Sequence, residues 1–441
     1  MFRKILIANR GEVALRVMRA CRRLGVATIA ICSTGDREAL HARLADERVC
    51  VGPDRPEDSY LNVPAILSAA LSRGADAVHP GYGLLAESGD FAEACERSGL
   101  AFIGPRVRHL RLMGDKPRAR RIVEKAGVRV LPGSPEPLAD VADARAIADA
   151  IGYPLLVKPA AGGGGRGLGV VRDAEALAPA FAVARREGER VFGNDLVYVE
   201  LYLESARHVE IQLIADRERR VVLLGERDCS VQRQRRKLVA EGPALDLPRG
   251  VRAKLAAAAT TAAAAVGYTN VGSVEFLVDD EGAFYFIEMN TRVQVEHAVS
   301  EALTNVDLVQ EGIRVAAGEP LSIRPEDVVV RGHAIECRIH AECPAGAPTP
   351  QRTVRAFHAP GGLGIRVESA LEVGDVVAGD DVLAKVLAHG VTRAEALARL
   401  RAALPELVIE GVPTDLALHR RVLAHPDFAG GPVHTTWLDV S

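Results

Sequence analysis

The sequence has no excess of charge of either sign. Its 55 basic and 58 acidic residues leave a formal net charge of −3 and are spread along the chain. Attraction of a nucleic acid or a membrane surface by charge would need a strongly one-signed region. We therefore expect neither kind of partner.

Paired cysteines and long apolar runs are also absent. The seven cysteines are scattered, odd in number and without a Cys-x-x-Cys pair, which argues against a disulfide framework and against a zinc site. No stretch reaches the ~18 apolar residues of a membrane span, and the apolar run Ile5 to Ala8 is too short for a signal peptide. These absences predict a reducing, cytoplasmic location.

The 441 residues, of which 48% are hydrophobic, are enough for two or three compact units. Residues 1–113 alternate helical stretches with short apolar runs at Lys4 to Ala8, Val26 to Cys32, Ala77 to His79 and Leu100 to Ile103. This βαβ alternation predicts a Rossmann-like α/β unit with a parallel sheet. No Gly-x-Gly-x-x-Gly follows its first strand, which disfavours a dinucleotide site.

The rest of the chain is predicted to be α+β. Residues 114–317 form a second unit, and its part from about 130 to 203 is expected to be a small lid. Residues 331–441 mix short strands with a helix and form a third unit. The predicted fold class is therefore a multidomain α/β and α+β protein.

A glycine-rich segment follows the strand that ends near Lys158. Gly162 to Gly165 can expose backbone N–H groups to phosphate oxygens without an obstructing Cβ, and Arg166 and Gly167 follow them. A flexible surface turn is the alternative, but Lys158 and Arg166 on either side favour phosphate. The segment is not a Walker A motif, because Gly-Lys-Ser/Thr is missing. Lys116, at a predicted helix start, is a second cation placed for an anion.

The stretch from Glu275 to Asn290 is the most informative. If Glu281-Gly282 is a two-residue hairpin loop, Glu275 lies directly opposite Glu288 on an adjacent antiparallel strand. Opposed like charges are destabilising unless a cation bridges them, and a hard divalent cation is the usual one. Asn290 on the same face adds a neutral oxygen. The alternative is a solvated face, which the apolar flanks disfavour.

The same alternation predicts that five side chains share one face of the second strand: Glu288, Asn290, Arg292, Gln294 and Glu296. Arg292 suits a planar oxyanion, and Glu296 is placed to take a proton beside it. Lys237 and Arg338 are further basic candidates, although a charge run such as the one around Lys237 is usually a solvated face.

Eight short motifs, in the same order along the chain, resemble those of biotin carboxylase, an ATP-grasp enzyme. They are Ile7 to Glu12, His79 to Gly83, Met113 to Lys116, Gly162 to Gly167, Glu226 to Ser230, Glu288 to His297, Gly332 to Arg338 and Phe357 to Gly362. The resemblance covers essentially the whole chain, and the run from Glu288 to His297 is highly specific. It implies a ligase with an N-terminal biotin carboxylase domain, an ATP-grasp domain with a lid, and a C-terminal biotin carboxylase domain.

The reaction that this resemblance implies begins when bicarbonate attacks the γ-phosphate of MgATP to give carboxyphosphate. Carboxyphosphate then breaks down to carbon dioxide, which carboxylates biotin. Glu296 would deprotonate bicarbonate and Arg338 would stabilise the biotin enolate, so the implied catalytic set is Glu296, Arg338, Lys237 and Arg292.

The resemblance also implies ligand sets for each substrate. Those for ATP are Lys116, Lys158, Gly163, Gly164, Gly165, Arg166, Gly167, Glu200, Leu203, His208, Gln232, Glu275 and Glu288. Those for bicarbonate are Lys237, Arg292, Gln294 and Val295, and those for biotin are Arg338 and Tyr82. Mg²⁺ or Mn²⁺ would be held by Glu275, Glu288 and Asn290.

No Met-Lys-Met biotinylation motif occurs, since the four methionines are Met1, Met18, Met113 and Met289. Biotin is therefore expected on a separate biotin carboxyl carrier protein. Carboxyltransferase subunits are expected to complete an acetyl-CoA or propionyl-CoA carboxylase that feeds malonyl-CoA and fatty-acid synthesis. The family also implies a homodimer.

Four departures from the family pattern leave other functions open. Leu201 stands in place of a lysine, Arg235 of a histidine and Gln351 of a glycine, and the segment 374–385 is short. A diverged ATP-grasp carboxylate–amine ligase is one alternative, and an inactive nucleotide-binding subunit is another. Retention of Lys237, Arg292, Glu296 and Arg338 argues against loss of activity.

Overall fold

The computed structural model describes residues 1–160, 167–342, 352–377 and 382–440. Its N-terminal part contains the strands β1 Lys4–Ile7, β2 Ala27–Ser33, β3 Glu47–Gly52, β4 Ala77–His79 and β5 Ala101–Phe102, and the helices α1 Gly11–Arg23, α2 Leu40–Leu44, α3 Val63–Ser72, α4 Gly89–Arg97 and α5 Val107–Gly114. The strands form a parallel sheet in the order β3-β2-β1-β4-β5. The parallel α/β prediction for this part is confirmed.

The apolar runs of the sequence become the core of this sheet. Ile5 and Ile7 of β1 pack with Val17 and Met18 of α1, and all four are at most 1% exposed. Such continuous apolar strands are typical of a parallel sheet with both faces covered. The turn after β1 leads directly into α1, so the first residues of α1 lie at the carboxyl edge of the sheet.

A small three-stranded sheet, covered by two helices, follows in the chain. The elements of this part are α6 Lys116–Lys125, α7 Val141–Ile151, β6 Leu155–Pro159, β7 Gly169–Val171, α8 Ala174–Phe192 and β8 Val197–Leu201, with the strands in the order β7-β6-β8. Of the predicted phosphate loop, Gly163, Gly164, Gly165 and Arg166 lie outside the described residues. Gly167 is described with a φ of +70°, and a Cβ there would come 2.9 Å from Cγ of Pro159.

The largest layer is an eight-stranded antiparallel sheet. Its strands are β9 Arg207–Ala215, β10 Val221–Asp228, β13 Val239–Gly242, β14 Asn270–Val278, β15 Phe284–Asn290, β16 His333–His340, β19 Ile365–Ser369 and β21 Val382–Gly390. Their order is β15-β14-β9-β10-β13-β16-β21-β19. Pairing of β13 with β16 carries the sheet from residues 207–290 into residues 333–390.

Smaller strands and the remaining helices complete the described chain. The strands are β11 Gln232–Arg233, β12 Arg236–Lys237, β17 Arg352–Thr353, β18 Ala356–His358, β20 Val376–Val377 and β22 Val408–Glu410. The helices are α9 Arg249–Val266, α10 His297–Thr304, α11 Leu308–Ala316, α12 Arg393–Ala403, α13 Leu416–Ala424, α14 Pro426–Gly430 and α15 Trp437–Val440. Within the described ranges, none of the helices is long and apolar enough to cross a membrane.

The hairpin prediction is correct in its pairing and wrong in its loop. Glu275 pairs with Glu288 as expected, but Val278 pairs with Phe284, so the strands are joined by more than two residues. A shift of register between Glu275 and Phe276 offsets this longer loop. A β-bulge inserts an extra residue into one strand, which explains why the predicted pairing survives the wrong loop.

The predicted strand alternation beyond Asn290 is also wrong. Strand β15 ends at Asn290, and Glu296 caps α10, which begins at His297. The side chains from Arg292 to Glu296 are therefore placed by a loop and not by a pleated strand. The shortened segment 374–385 lies partly outside the described residues, as does Gln351.

Candidate active site

A row of charged residues crosses four adjacent strands of the large sheet. Arg227 on β10 pairs with Glu210 on β9, Glu210 pairs with Glu275 on β14, and Glu275 pairs with Glu288 on β15. Directly paired residues project on the same face, so three carboxylates stand side by side. Such a row is stable only where cations neutralise it.

Lys237 on β12 supplies the central positive charge. Its Nζ lies 2.7 Å from Oε1 of Glu275 and 3.0 Å from Oε1 of Glu296, and it also contacts Glu210. Burial lowers the pKa of Lys237, but the three carboxylates raise it well above its usual value. The side chain is only 15% exposed, so the solvated face expected of its charge run does not describe this lysine.

Glu296 lies between Lys237 and Arg338. A guanidinium nitrogen of Arg338 on β16 contacts Oε2 of Glu296, while Lys237 contacts Oε1. Burial raises the pKa of Glu296, yet Arg338, Lys237 and Arg227 together hold it well below its usual value. Glu296 is therefore ionised, and it gains basicity only when an anion draws Arg338 or Lys237 away from it.

Arg227 is a fully buried cation beneath this centre. Its guanidinium donates to Oε2 of Glu210 at 2.8 Å, to Oε1 of Gln212 at 2.7 Å and to Oγ of Ser300 at 2.8 Å, and it contacts Oε1 of Gln294. Burial lowers the pKa of Arg227, but Glu210 and Glu296 raise it above its usual value. This network joins strands β9 and β10 to the loop and helix α10.

Replacing Arg227 by methionine should destabilise the fold by about 3–5 kcal/mol, because it removes one of the cations that neutralise the buried Glu210 and leaves Gln212 and Ser300 without their donor. Urea unfolding followed by circular dichroism measures the loss. Arg97→Met is the matched control, since Arg97 pairs with Glu93 on an exposed helix face and surface pairs contribute little. Equal unfolding midpoints for the two variants would contradict the claim that Arg227 stabilises the buried charge network.

Four donors converge on the Glu275 carboxylate. Asn290 Nδ2 lies 2.7 Å and Gln294 Nε2 3.0 Å from Oε1, and His208 Nε2 lies 2.9 Å from Oε2. Lys237 is the fourth donor. Burial raises the pKa of Glu275, but Lys237 and His208 hold it well below its usual value. The Glu275 carboxylate is therefore ionised and is available as a ligand for a cation.

Glu288 is held by Lys116 at the start of α6, with 2.8 Å between Nζ and Oε2. The Lys116 ammonium lowers the pKa of Glu288, and this effect outweighs both burial and the repulsion from Glu275. Two ionised carboxylates on adjacent strands are a donor set that suits a hard divalent cation.

Asn290 fits the same cation only after a rotation of its amide. Its Nδ2 faces Glu275, whereas its Oδ1 accepts a hydrogen bond from Nη2 of Arg292 at 3.1 Å. A 180° turn of the amide would present the oxygen beside Glu275. His208, Glu210 and Glu275 form a second group whose ligand atoms lie within 4.8 Å of one another.

The small three-stranded sheet contributes a second pair of opposite charges. Lys158 on β6 lies 2.7 Å from Oε1 of Glu200 on β8, and Arg120 lies 3.2 Å from Oε2 of the same carboxylate. Burial lowers the pKa of Lys158, and nearby Lys116 lowers it further although Glu200 opposes the change. Two partly exposed ammonium groups that repel each other form a site suited to a polyanion such as a triphosphate.

Three more of the predicted ATP ligands are among the described residues. Gln232 Nε2 is 2.9 Å from Nδ1 of His208, which joins both residues to the Glu275 centre. Leu203 follows β8 and is half-buried. Gly167 precedes β7 of the small three-stranded sheet.

Three of the four predicted bicarbonate residues, Arg292, Gln294 and Val295, lie in the loop between β15 and α10, whereas Lys237 lies on β12. Arg292 is paired with Glu87, with 3.2 Å between its Nε and Oε2 of Glu87. The Val295 carbonyl accepts a hydrogen bond from Lys385, and the Lys385 Nζ lies 5.7 Å from the Tyr82 ring centroid. Through Lys385, Tyr82 therefore borders the same loop as Glu296.

Sequence reasoning missed Glu87, Glu210, Arg227 and Lys385. Glu210 carries a signal that could have found it, since it follows His208 by two residues and shares its face of β9. Glu87 closely follows the motif His79 to Gly83. Arg227 lies inside the motif Glu226 to Ser230, to which sequence reasoning gave no role, and the partners of Lys385 are distant in the chain.

Matches to family models identify the class of protein. The model described as "Carbamoyl-phosphate synthase L chain, ATP binding domain" matches residues 115–324, which contain the small three-stranded sheet and the carboxylate row. The chain is thus an ATP-dependent ligase of the ATP-grasp class. "Biotin carboxylase, N-terminal domain" matches residues 1–110 and "Biotin carboxylase C-terminal domain" matches residues 336–440. The chain belongs to the biotin carboxylase family.

Known relatives are similar over their full length. The biotin carboxylase of Pseudomonas aeruginosa is 49% identical over 443 residues, covering 100% of this chain and 98% of the relative. A pyruvate carboxylase subunit of Methanothermobacter thermautotrophicus is 44% identical, covering 100% and 90%.

Solved structures agree with the fold. The complex of Campylobacter jejuni biotin carboxylase with β,γ-ATP superposes with a TM-score of 0.97 at 41% identity, covering 100% of this chain and 99% of that one. The biotin carboxylase domain dimer of Hydrogenobacter thermophilus 2-oxoglutarate carboxylase, in complex with MgADP, ADP and bicarbonate, gives 0.96 at 43% identity, covering 100% and 97%.

Proposed function

We propose that this chain carboxylates biotin on a separate biotin carboxyl carrier protein, using ATP and bicarbonate. The observation that carries the proposal is the ionised Glu296, which lies between Lys237 and Arg338 and beside Glu275. An oxyanion such as bicarbonate would compete with Glu296 for these two cations. The Glu296 carboxylate, freed from these cations, would then act as the base that takes the proton of the bound bicarbonate.

The triphosphate of ATP would bind between the lid and the large sheet. Lys116 and Lys158 would exchange their contacts with Glu288 and Glu200 for phosphate oxygens. Glu275, Glu288 and Asn290 would hold Mg²⁺ or Mn²⁺, which neutralises phosphate charge when it is bound. We also assign Gly163 to Gly167, Glu200, Leu203, His208 and Gln232 to the nucleotide. Phosphoryl transfer depends on such positioning and charge neutralisation.

Bicarbonate would bind to Arg292, Gln294, Val295 and Lys237. Arg292 offers a planar fork of donors, and its partner Glu87 holds that fork in place. Glu296 would accept the bicarbonate proton, and the resulting oxyanion would attack the γ-phosphate and displace ADP, giving carboxyphosphate. Arg338 and Tyr82 would then meet biotin, with Arg338 stabilising the enolate as it forms.

The assembly around this chain follows from the same proposal. A biotinylated carrier protein and carboxyltransferase subunits would bind this chain, and two copies would form a homodimer like the domain dimer from Hydrogenobacter thermophilus. We propose an acyl-CoA of the acetyl-CoA or propionyl-CoA type as the final acceptor, with a role in fatty-acid synthesis. Pyruvate carboxylase and 2-oxoglutarate carboxylase contain similar chains, so the partner subunits would select the acceptor.

We propose residues 1–113, 114–317 and 331–441 as the functional units, with a lid at about 130–203. A cytoplasmic location suits the six described cysteines, which are unpaired and include the exposed Cys50.

ATP hydrolysis by the purified chain with Mg²⁺ tests the proposal, measured with and without bicarbonate and with and without free biotin. We expect turnover that requires bicarbonate and rises with biotin. Turnover that requires another carboxylate would indicate a diverged ligase. Nucleotide binding without any turnover would indicate an inactive subunit.

A further inference from the structure

A buried lysine of the C-terminal strands reaches the loop that carries Glu296. Lys385 lies on β21 and is only 1% exposed. It pairs with Arg338 on β16 at one side and with Glu368 on β19 at the other. Paired residues project on the same face of a sheet, so Lys385 stands beside Arg338 on the face that meets Glu296.

The ammonium group of Lys385 has three polar partners from three separate parts of the chain. Its Nζ lies 2.7 Å from Oε2 of Glu368, 3.0 Å from the carbonyl oxygen of Val295 and 3.4 Å from Oε2 of Glu12. The contact with the Val295 carbonyl is a hydrogen bond, and those with Glu368 and Glu12 are ion pairs. The lysine therefore connects helix α1 and strand β19 to the loop between β15 and α10.

The environment of Lys385 keeps it charged and fixed. Burial lowers its pKa, but Glu12 and Glu368 raise it above its usual value. Lys385 Nζ also lies 5.7 Å from the centroid of the Tyr82 ring, within range of a cation–π contact. A charged donor makes a stronger hydrogen bond to a carbonyl than a neutral one does.

The contact with Val295 matters because the next residue is Glu296. Lys237 and Arg338 fix the carboxylate end of Glu296, whereas Lys385 fixes the peptide before it. Both ends must be fixed for the carboxylate to face a bound oxyanion at a constant distance. A displacement of about 1 Å at such a centre costs roughly a hundredfold in rate.

We propose that Lys385 is a positioning residue for the bicarbonate site, acting through the Val295 carbonyl on the loop that carries Glu296. Its kinetic consequence rests on the proposed function, whereas its structural consequence does not. It differs in kind from Lys237 and Arg338, which contact the Glu296 carboxylate itself.

Lys385→Met tests the proposal, because methionine keeps most of the length of the side chain and removes its charge and donors. We expect kcat/KM for bicarbonate to fall about tenfold or more, the loss typical of a hydrogen bond from a charged donor. The dissociation constant for ADP should change less than about twofold, because the nucleotide contacts are elsewhere. Amide hydrogen exchange of residues 291–298 should become faster.

Arg393→Met is the matched control. Arg393 is also a largely buried cation of the C-terminal strands and helices, with 2.7 Å between its Nε and Oε2 of Glu241. Its loss should lower thermal stability without changing the KM for bicarbonate or the exchange of residues 291–298. The same kinetic and exchange changes in both variants would overturn the positioning role, as would unchanged exchange in Lys385→Met.

Failure of the proposed function would be recognisable separately. A wild-type chain without bicarbonate-dependent turnover would refute that function, and the exchange measurement alone would then decide the role of Lys385. Should Lys385→Met not fold, Glu368→Gln removes one anchor of Lys385 and leaves the ammonium group in place. We expect a smaller change in the same direction, and no change in this variant would overturn the proposal.

Discussion

Replacing Glu296 by glutamine should lower bicarbonate-dependent ATP turnover by roughly a hundredfold to ten-thousandfold, the range for loss of a general base. Glutamine keeps the shape of the side chain but cannot take the proton of bicarbonate. It also removes the negative charge between Lys237 and Arg338, so the two cations would repel each other. Steady-state kinetics with saturating ATP measure the loss.

Nucleotide binding separates a catalytic role of Glu296 from a structural one. We expect the ADP dissociation constant of Glu296→Gln to stay within about twofold of wild type, since loss of a base acts on the chemical step. Glu406→Gln, at an exposed position, should leave both quantities unchanged. Equal losses of turnover and nucleotide binding would instead make Glu296 part of the structural framework.

Replacing Glu288 by glutamine should abolish ATP turnover at ordinary Mg²⁺ concentrations. Glu288 and Glu275 are the two opposed carboxylates that would hold the divalent cation, and an amide is a far weaker ligand than a carboxylate. Lys116 also loses the partner that it has in the ligand-free protein. Loss of metal binding should therefore accompany loss of turnover.

Electron paramagnetic resonance of Mn²⁺ titrated with ADP and protein gives the metal affinity directly. We expect weaker Mn²⁺ binding in Glu288→Gln and unchanged binding in Glu281→Gln, which lies exposed in the loop of the same hairpin. Full activity of Glu288→Gln at ordinary Mg²⁺ would remove the metal assignment.

Cations already occupy the places where ligands are expected to bind. Lys237 neutralises Glu275 and Glu296, and Lys116 and Lys158 neutralise Glu288 and Glu200. When MgATP and bicarbonate bind, these lysines would therefore exchange protein carboxylates for the anions of the ligands. The ligand charges would enter a site that already holds cations. This exchange offsets part of the cost of desolvating the bound anions.

Local patterns in the sequence predicted four of the five strands of the N-terminal sheet and one contact of the site, but they missed strand β3. Apolar runs that alternate with helical stretches favour a parallel sheet covered by helices, and the N-terminal part of the structure contains this sheet. The Glu275–Glu288 pairing was predicted from a two-residue loop that the structure does not have. The prediction is correct because the register shift between Glu275 and Phe276 offsets the longer loop, and no local pattern marks that shift.

The loop from Arg292 to Glu296 shows where local patterns fail. Its polar alternation resembles a strand, but the residues leave the sheet before helix α10. Glu296 still reaches Lys237, because strand β12 and strand β16 bring their cations to it from elsewhere in the chain. Glu210, Arg227 and Lys385 are likewise defined by partners on distant strands, which only the folded chain reveals.

Transfer of ¹⁴C from labelled bicarbonate to biotin tests the central claim most directly. The purified chain, MgATP and free biotin should give acid-labile carboxybiotin in the wild type, and Glu296→Gln should give almost none. Label that stays in bicarbonate while ATP is hydrolysed equally well with and without biotin would contradict the account.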